Sequence, residues 1–265
     1  MVAPVDGTRR KFNYFPEDLS GQKGLRNGAL VAYYVWNECR FAIRCVDEKK
    51  GIIALAAPVH TLFTLDRYYV ENVPGGLEAP GSWLLDPEQG VLFWHPREGV
   101  IPETSEVVVP ALRELVRFQG KAGNPVRHVT LRGLTFAHAD WFELDSGNQS
   151  AVRIGSAISL EHTEFCCLRG NRVLNVGVNG IGLYKGCRRV AVVENEIAYA
   201  GAGGVRIGLE KKDETIRENA VIGNHIHDCG LVYPSAIGVW IGQSSGNWVL
   251  RNRIHHLPYT GISVG

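Results

Sequence analysis

With 265 residues, 45% of them apolar and 21% charged, the chain can form one large domain or two modest ones. Its 28 basic against 27 acidic residues leave a formal charge of +1, too little for electrostatic capture of nucleic acid or an anionic membrane. No run reaches the length of a membrane span, and Met1-Val-Ala-Pro-Val-Asp-Gly-Thr-Arg-Arg10 lacks the apolar core of a secretory signal.

Residues 1–27 are polar and rich in turn formers, as in Pro16-Glu-Asp-Leu-Ser-Gly21, and predict an irregular segment. From 28 to 120 the strand-like pieces are short: Ala29 to Trp36, Phe41 to Cys45, Ile52 to Leu55, Tyr68 to Val70 and, after the turn Asp86-Pro-Glu-Gln-Gly90, Val91 to Trp94. Turn signals at this density predict a small all-β, sandwich-like domain. The linker Gln119-Gly-Lys-Ala-Gly-Asn-Pro125 then leads into Val129 to Phe136, which has the pattern of one further copy of the C-terminal repeat. The 38 residues from Gly133 to Asn171 leave room for a loop excursion or a further coil.

Residues 121–265 carry that repeat. Asn171-Arg-Val precedes Gly180-Ile-Gly-Leu-Tyr184, Asn195-Glu-Ile precedes Gly204-Val-Arg-Ile-Gly208, Asn224-His-Ile precedes Gly238-Val-Trp-Ile-Gly242, and Asn252-Arg-Ile precedes Gly261-Ile-Ser-Val-Gly265. The Asn-to-Asn steps are 24, 29 and 28 residues, and the Asn-to-Gly offset is 9 except in the third copy, where it is 14. A period of this length with strand alternation and no helical pattern predicts an all-β solenoid, a right-handed parallel β-helix with three short strands per coil. The column Asn171, Asn195, Asn224 and Asn252 is then an internal ladder, each amide bonding its neighbour or a turn backbone. Cys39, Cys45, Cys166, Cys167, Cys187 and Cys229 show no Cys-x-x-Cys spacing and read as reduced, core-filling residues. Ending on a strand at Gly265 without a cap, the chain reads as a fragment truncated at its C-terminus.

A β-helix works through outward side chains stacked along a sheet. Alternation places Gly182, Arg206, Trp240 and Ser263 outward at the centres of the Gly-flanked strands, with Gln243 at the following turn. Aromatic faces stack on sugar C–H surfaces, and Arg and Gln supply forked hydrogen bonds, so Arg206, Trp240 and Gln243 are substrate-binding candidates. His227 and His255 form a second outward column, with His225 one pleat away and Asp228, His256 and Tyr259 in the adjoining turns. His227, His255 and Tyr259 join the substrate-binding set. A His-x-His pair on a strand could bind metal, but no third ligand stands at metal spacing, and neither metal nor cofactor is expected.

Glycoside hydrolysis needs two facing carboxylates. Asp140 and Asp228 are the catalytic candidates, with Glu143 and Asp145 clustered beside Asp140. His162-Thr-Glu164 lacks the later Pro-Cys-x-x-Cys of zinc deaminases, Gly201-Ala-Gly-Gly-Val-Arg206 has Arg where a dinucleotide fingerprint needs Gly, and no Gly-x-Ser-x-Gly elbow occurs.

Tyr68-Tyr-Val-Glu-Asn72, Gly81-Ser-Trp-Leu-Leu-Asp86, Gly90-Val-Leu-Phe-Trp-His-Pro96, Leu131-Arg-Gly-Leu-Thr-Phe136 and Gly238-Val-Trp-Ile-Gly-Gln-Ser244 carry a resemblance. In that order they resemble large bacterial right-handed β-helix proteins with an all-β domain inserted between early coils, a group that includes fucosidase- and xylanase-type glycoside hydrolases. The resemblance implies a secreted or periplasmic protein acting on polysaccharide or oligosaccharide. It also implies paired catalytic aspartates in later coils, in Asp-Gly-Gly-like and Asp-Glu-Gly-like stretches that do not occur before Gly265, so this chain is expected to be inactive alone. A polysaccharide lyase on the same scaffold and a non-catalytic carbohydrate-binding or structural solenoid are the alternatives.

Overall fold

The computed structural model describes residues 9–15, 19, 25, 28–34, 37–58, 67–86, 88–141 and 149–265. The chain divides into two compact units between Val107 and Val108.

In the first unit, β1 (Lys11–Asn13), β2 (Ala29–Tyr34), β3 (Asn37–Asp47), β4 (Ile52–Leu55) and β5 (Arg67–Glu71) form one antiparallel sheet in the order β1-β4-β3-β2-β5. The 11-residue β3 serves two partners, its first part pairing with β2 and its last with β4, the β4 ladder carrying a register shift between Ile43 and Cys45. Alternation sends Cys39, Phe41 and Ile43 into a core shared with Phe12, Leu30, Ile53 and Leu55. A hairpin of β6 (Trp83–Asp86) and β7 (Val91–Trp94) comes next, its turn held by the Asp86 carboxylate, which accepts from the Glu88 and Gln89 amides.

The second unit is a stack of coils. The first coil holds β8 (Val116–Gln119), β9 (Val126–Arg127), β10 (Thr130–Arg132) and β11 (Thr135–Ala137), and the second β12 (Ser156–Glu161), β13 (Thr163–Glu164), β14 (Cys167–Arg169) and β15 (Arg172–Leu174). The third holds β16 (Asn179–Leu183), β17 (Ala191–Val193) and β18 (Glu196–Ala198), and the fourth β19 (Val205–Ile207), β20 (Ala220–Ile222) and β21 (His225–His227). Then come β22 (Val239–Ile241), β23 (Trp248–Leu250), β24 (Arg253–His255) and β25 (Ile262–Val264). Parallel pairing gives three long sheets: a first with β8, β12, β16, β19, β22 and β25, a second with β10, β14, β17, β20 and β23, and a third with β11, β15, β18, β21 and β24.

Two boundaries differ from those read in the sequence. β1 lies inside 1–27, where its single buried residue, Phe12, offers no alternation to read. β8 belongs to the solenoid, not to 28–120, because Val116-Arg-Phe-Gln119 pairs in parallel with Ile158 to Glu161. The 38 residues from Gly133 to Asn171 hold β11 to β14, with a longer connection between β11 and β12.

Inside the stack, Ile158, Ile181 and Ile207 are wholly buried, each against the coils on either side; such burial is worth roughly 1.5–3 kcal/mol per side chain. The Asn ladder forms: Asn171 Nδ2 donates to Asn195 Oδ1 at 3.0 Å, Asn195 to Asn224 at 3.0 Å, and Asn224 to Asn252 at 2.9 Å. A shorter second ladder joins Asn219 to Asn247. Four residues after each ladder Asn, and at the matching place in the first coil, the backbone turns through left-handed φ at His138, Asn175, Tyr199, Asp228 and His256. None of the six cysteines is in a disulfide, and burial raises the Cys187 thiol pKa to about 12 and that of Cys229 to about 11. Among the described residues no helix is long and apolar enough to cross a membrane.

Candidate functional site

Register on the first sheet sets Arg117, Ser159, Gly182, Arg206, Trp240 and Ser263 side by side on successive strands. Their flanking residues Val205, Ile207, Val239 and Ile241 point inward and are buried, so these six face out. Gly182 is the gap in the row. Tyr184 folds back over it, where a Cβ would lie 2.5 Å from the Tyr184 ring and from Ser156 Oγ. The Arg206 guanidinium is thereby held between two rings, 5.3 Å from the centre of Tyr184 and 5.0 Å from that of Trp240.

Arg206 is only 8% exposed, and its Nε has no hydrogen-bond partner. Burial lowers its pKa, with Tyr184 and Glu210 opposing. Burial likewise raises the Tyr184 phenol pKa, and that hydroxyl lies 2.8 Å from Ser156 Oγ.

Beside Tyr184 opens a cleft of about 430 Å³ lined by Glu114, Arg117, Ser159 and Glu161. Glu114 accepts from Arg117 Nε at 2.6 Å and from the Ser159 hydroxyl. Gln243 is exposed at a shallower hollow of about 270 Å³, with Lys212 and Asp213.

The histidines stand on the third sheet, not the first. Glu196, His225 and Arg253 share one outward column, and Ala198, His227 and His255 the next. His225 Nε2 lies 2.9 Å from His255 Nε2, and the His225 and His227 ring centres are 4.1 Å apart. His227 Nδ1 donates to Asp228 Oδ2 at 2.7 Å, while its Nε2 is 3.5 Å from Glu196 Oε1 and buried without a hydrogen bond. The hydrogen bond from His227 holds the Asp228 carboxyl below the usual range, as the Arg172 guanidinium does for Glu196. Burial, with His227 and Arg253 adding to it, lowers the His225 pKa.

Of the residues picked from the sequence, Arg206 and Trp240 meet, and Gln243 lies at the turn of their sheet. His227, His255 and Asp228 form a separate cluster, and Tyr259 is exposed in the turn after β24. Asp140 serves its own turn, its Oδ1 accepting from the Trp141 amide at 2.9 Å and its N–H bonding Leu112 O. Glu143 and Asp145 lie outside the described residues. The sequence reading missed Tyr184, Glu114, Glu161 and Glu196. Tyr184 closes the first repeat copy beside an outward Gly, a signal that was readable. Glu114 and Glu161 depend on which coil stacks on which.

Repeat, register and sheet order define a right-handed parallel β-helix with two chemically distinct outward faces. Residues 156–265 match the family model described as a right handed beta helix region. A solved chain titled "Glycoside hydrolase" superposes with a TM-score of 0.61 at 16% identity, over 100% of this chain and 72% of that one, a likeness of fold. No curated protein matches the chain.

Proposed function

We propose that the protein is carbohydrate-active and that the outward face of its first sheet binds a glycan. The observation that carries this reading is Arg206 held between Tyr184 and Trp240, with Tyr184 itself lining a polar cleft. Aromatic rings offer flat apolar area to the C–H face of a sugar, and the buried guanidinium between them, its Nη1 donating to Ile154 O at 3.4 Å, fixes their orientation. Gln243, Arg117 and Ser159 extend the polar row along the same sheet.

The finer proposal is glycoside hydrolysis by two carboxylates flanking the scissile bond. The resemblance to fucosidase- and xylanase-type β-helix proteins implies a pair in Asp-Gly-Gly-like and Asp-Glu-Gly-like stretches, which these 265 residues do not contain. Within this chain, Glu114 and Glu161 border the cleft and are the carboxylates to test against it. Glu114 is tied to Arg117 and Ser159, which suits a group that orients substrate.

The test pairs this chain with one extended past residue 265, measuring binding by calorimetry and hydrolysis on aryl glycosides and plant polysaccharides. Both forms are expected to bind, with Trp240→Ala weakening affinity ~10-fold, and only the extended form to hydrolyse. Hydrolysis by the short form that Glu161→Gln abolishes would move the acids into this cleft. Absence of binding in both would sink the reading.

A further inference from the structure

We propose that Glu196, His225 and His227 form a binding site for a divalent transition-metal ion, zinc foremost, with His255 available as fourth ligand. The site is on the third sheet and does not depend on the carbohydrate reading.

Three observations converge. A ligand atom from each of Glu196, His225 and His227 lies within 4.8 Å of the other two. This arises from register, since Glu196 and His225 are paired neighbours on β18 and β21, and His227 projects on the same side two residues along. Parallel strands thus bring a carboxylate from one coil to a His-x-His pair on the next, supplying the third ligand that sequence spacing hides.

The second observation is the state of His227. A carboxylate can only accept, so the 2.7 Å contact to Asp228 puts a proton on Nδ1 and leaves Nε2 as the ring atom that faces Glu196. That nitrogen is buried, lacks a hydrogen bond and lies 3.5 Å from the Glu196 carboxylate, so a cation seated between them would meet a ligand atom from each. An outer carboxylate fixing the tautomer of a ligating imidazole is how metal-binding histidines are commonly oriented.

Third, His225 Nε2 and His255 Nε2 sit 2.9 Å apart, so one proton must bridge two ring nitrogens. A cation bound at His225 Nε2 takes the place of that proton, and a proton then sits on the ring's Nδ1, so the ligating imidazole stays neutral. Imidazole nitrogens with one carboxylate suit Zn²⁺, Cu²⁺ or Ni²⁺, whereas Ca²⁺ and Mg²⁺ require mostly oxygen ligands. The bound ion would clasp β18, β21 and β24, strands from three successive coils.

The test uses the whole 265-residue protein, stripped with a chelator and titrated with Co²⁺ by visible absorption and with Zn²⁺ by calorimetry. One equivalent should bind, the cobalt spectrum should show the intense bands of a four- or five-coordinate site, and Zn²⁺ should displace it while Ca²⁺ does not. Asp228→Asn should lower zinc affinity ~10–100-fold, His227→Ala by more, and His128→Ala, an exposed histidine of the first coil, not at all. A cobalt spectrum identical to that of the hydrated ion, or equal losses in His227→Ala and His128→Ala, overturns the site and leaves a proton-sharing histidine cluster. Should a variant fail to fold, ring ¹⁵N spectra of the native protein decide: zinc must shift His225 and His227, and their indifference overturns the proposal.

Discussion

The same coils carry two kinds of column, one inside and one outside. Inside, neighbours are alike, Asn on Asn on Asn and Ile on Ile, because each residue's environment is the equivalent residue of the next coil. Outside, Arg117, Ser159, Gly182, Arg206, Trp240 and Ser263 succeed one another on the first sheet with no two neighbours alike. Repetition in a solenoid thus marks what holds the stack together, and its interruption on an outward row marks where chemistry is placed.

Substitutions can break that contrast at either end. The largest effect is expected from Asn224→Ala. It removes an acceptor used by both the Asn195 amide and its side chain, and a donor to Val192 O and Asn252. Several buried groups lose partners, and chemical denaturation should show a loss of roughly 3 kcal/mol or more. Gly182→Ala should do the reverse, displacing Tyr184 from above Arg206 and lowering glycan affinity about tenfold in calorimetry, with little change in Tm. Arg206→Lys keeps the charge but not the planar stack, and a loss of ~1 kcal/mol in binding is expected.

Smaller effects sharpen the contrast between paired and solitary carboxylates. Burial raises the Glu164 pKa, but the bonds from Arg127 and Arg188 outweigh it and bring it below the ordinary 4.5. A folded-state value below the unfolded one means stability that is present above pH 4.5 and lost as the pH falls through the lowered value. Thermal melts between neutral and acid pH should therefore show a steeper acid limb in the native protein than in Glu164→Gln. Asp140→Asn, which preserves the oxygen that accepts from Trp141, should change stability by less than ~0.5 kcal/mol and leave glycan binding intact.

The interior was legible in the sequence because its residues repeat at readable intervals. The Asn ladder, the inward Val and Ile positions and the outward row of Gly182, Arg206, Trp240 and Ser263 all came from period and alternation. What escaped at the cleft depended on register between coils of unequal length. Val116 to Gln119 has no Asn or Gly marker that would align it with Ile158 to Glu161, so Glu114 and Glu161 could not be set beside Tyr184. Glu196 sits 29 residues before His225, which is the Asn195-to-Asn224 step, so the repeat alignment already sets the two side by side; it was missed because the third ligand was sought at metal spacing along the chain. The second outward column of His227 and His255, apart from the row of Trp240, was legible from the same alternation.

The left-handed corners carry a consequence for how such a molecule can change. His138, Asn175, Tyr199, Asp228 and His256 occupy equivalent bends in five successive coils, although each non-glycine residue there costs about 1–2 kcal/mol. Stacked neighbours on both sides outweigh that penalty, and the bend tolerates imidazole, amide, phenol and carboxylate alike. Such a corner behaves as an interchangeable socket: a side chain can be swapped there without disturbing any rung, and Asp228 beneath His227 shows one such fitting in use.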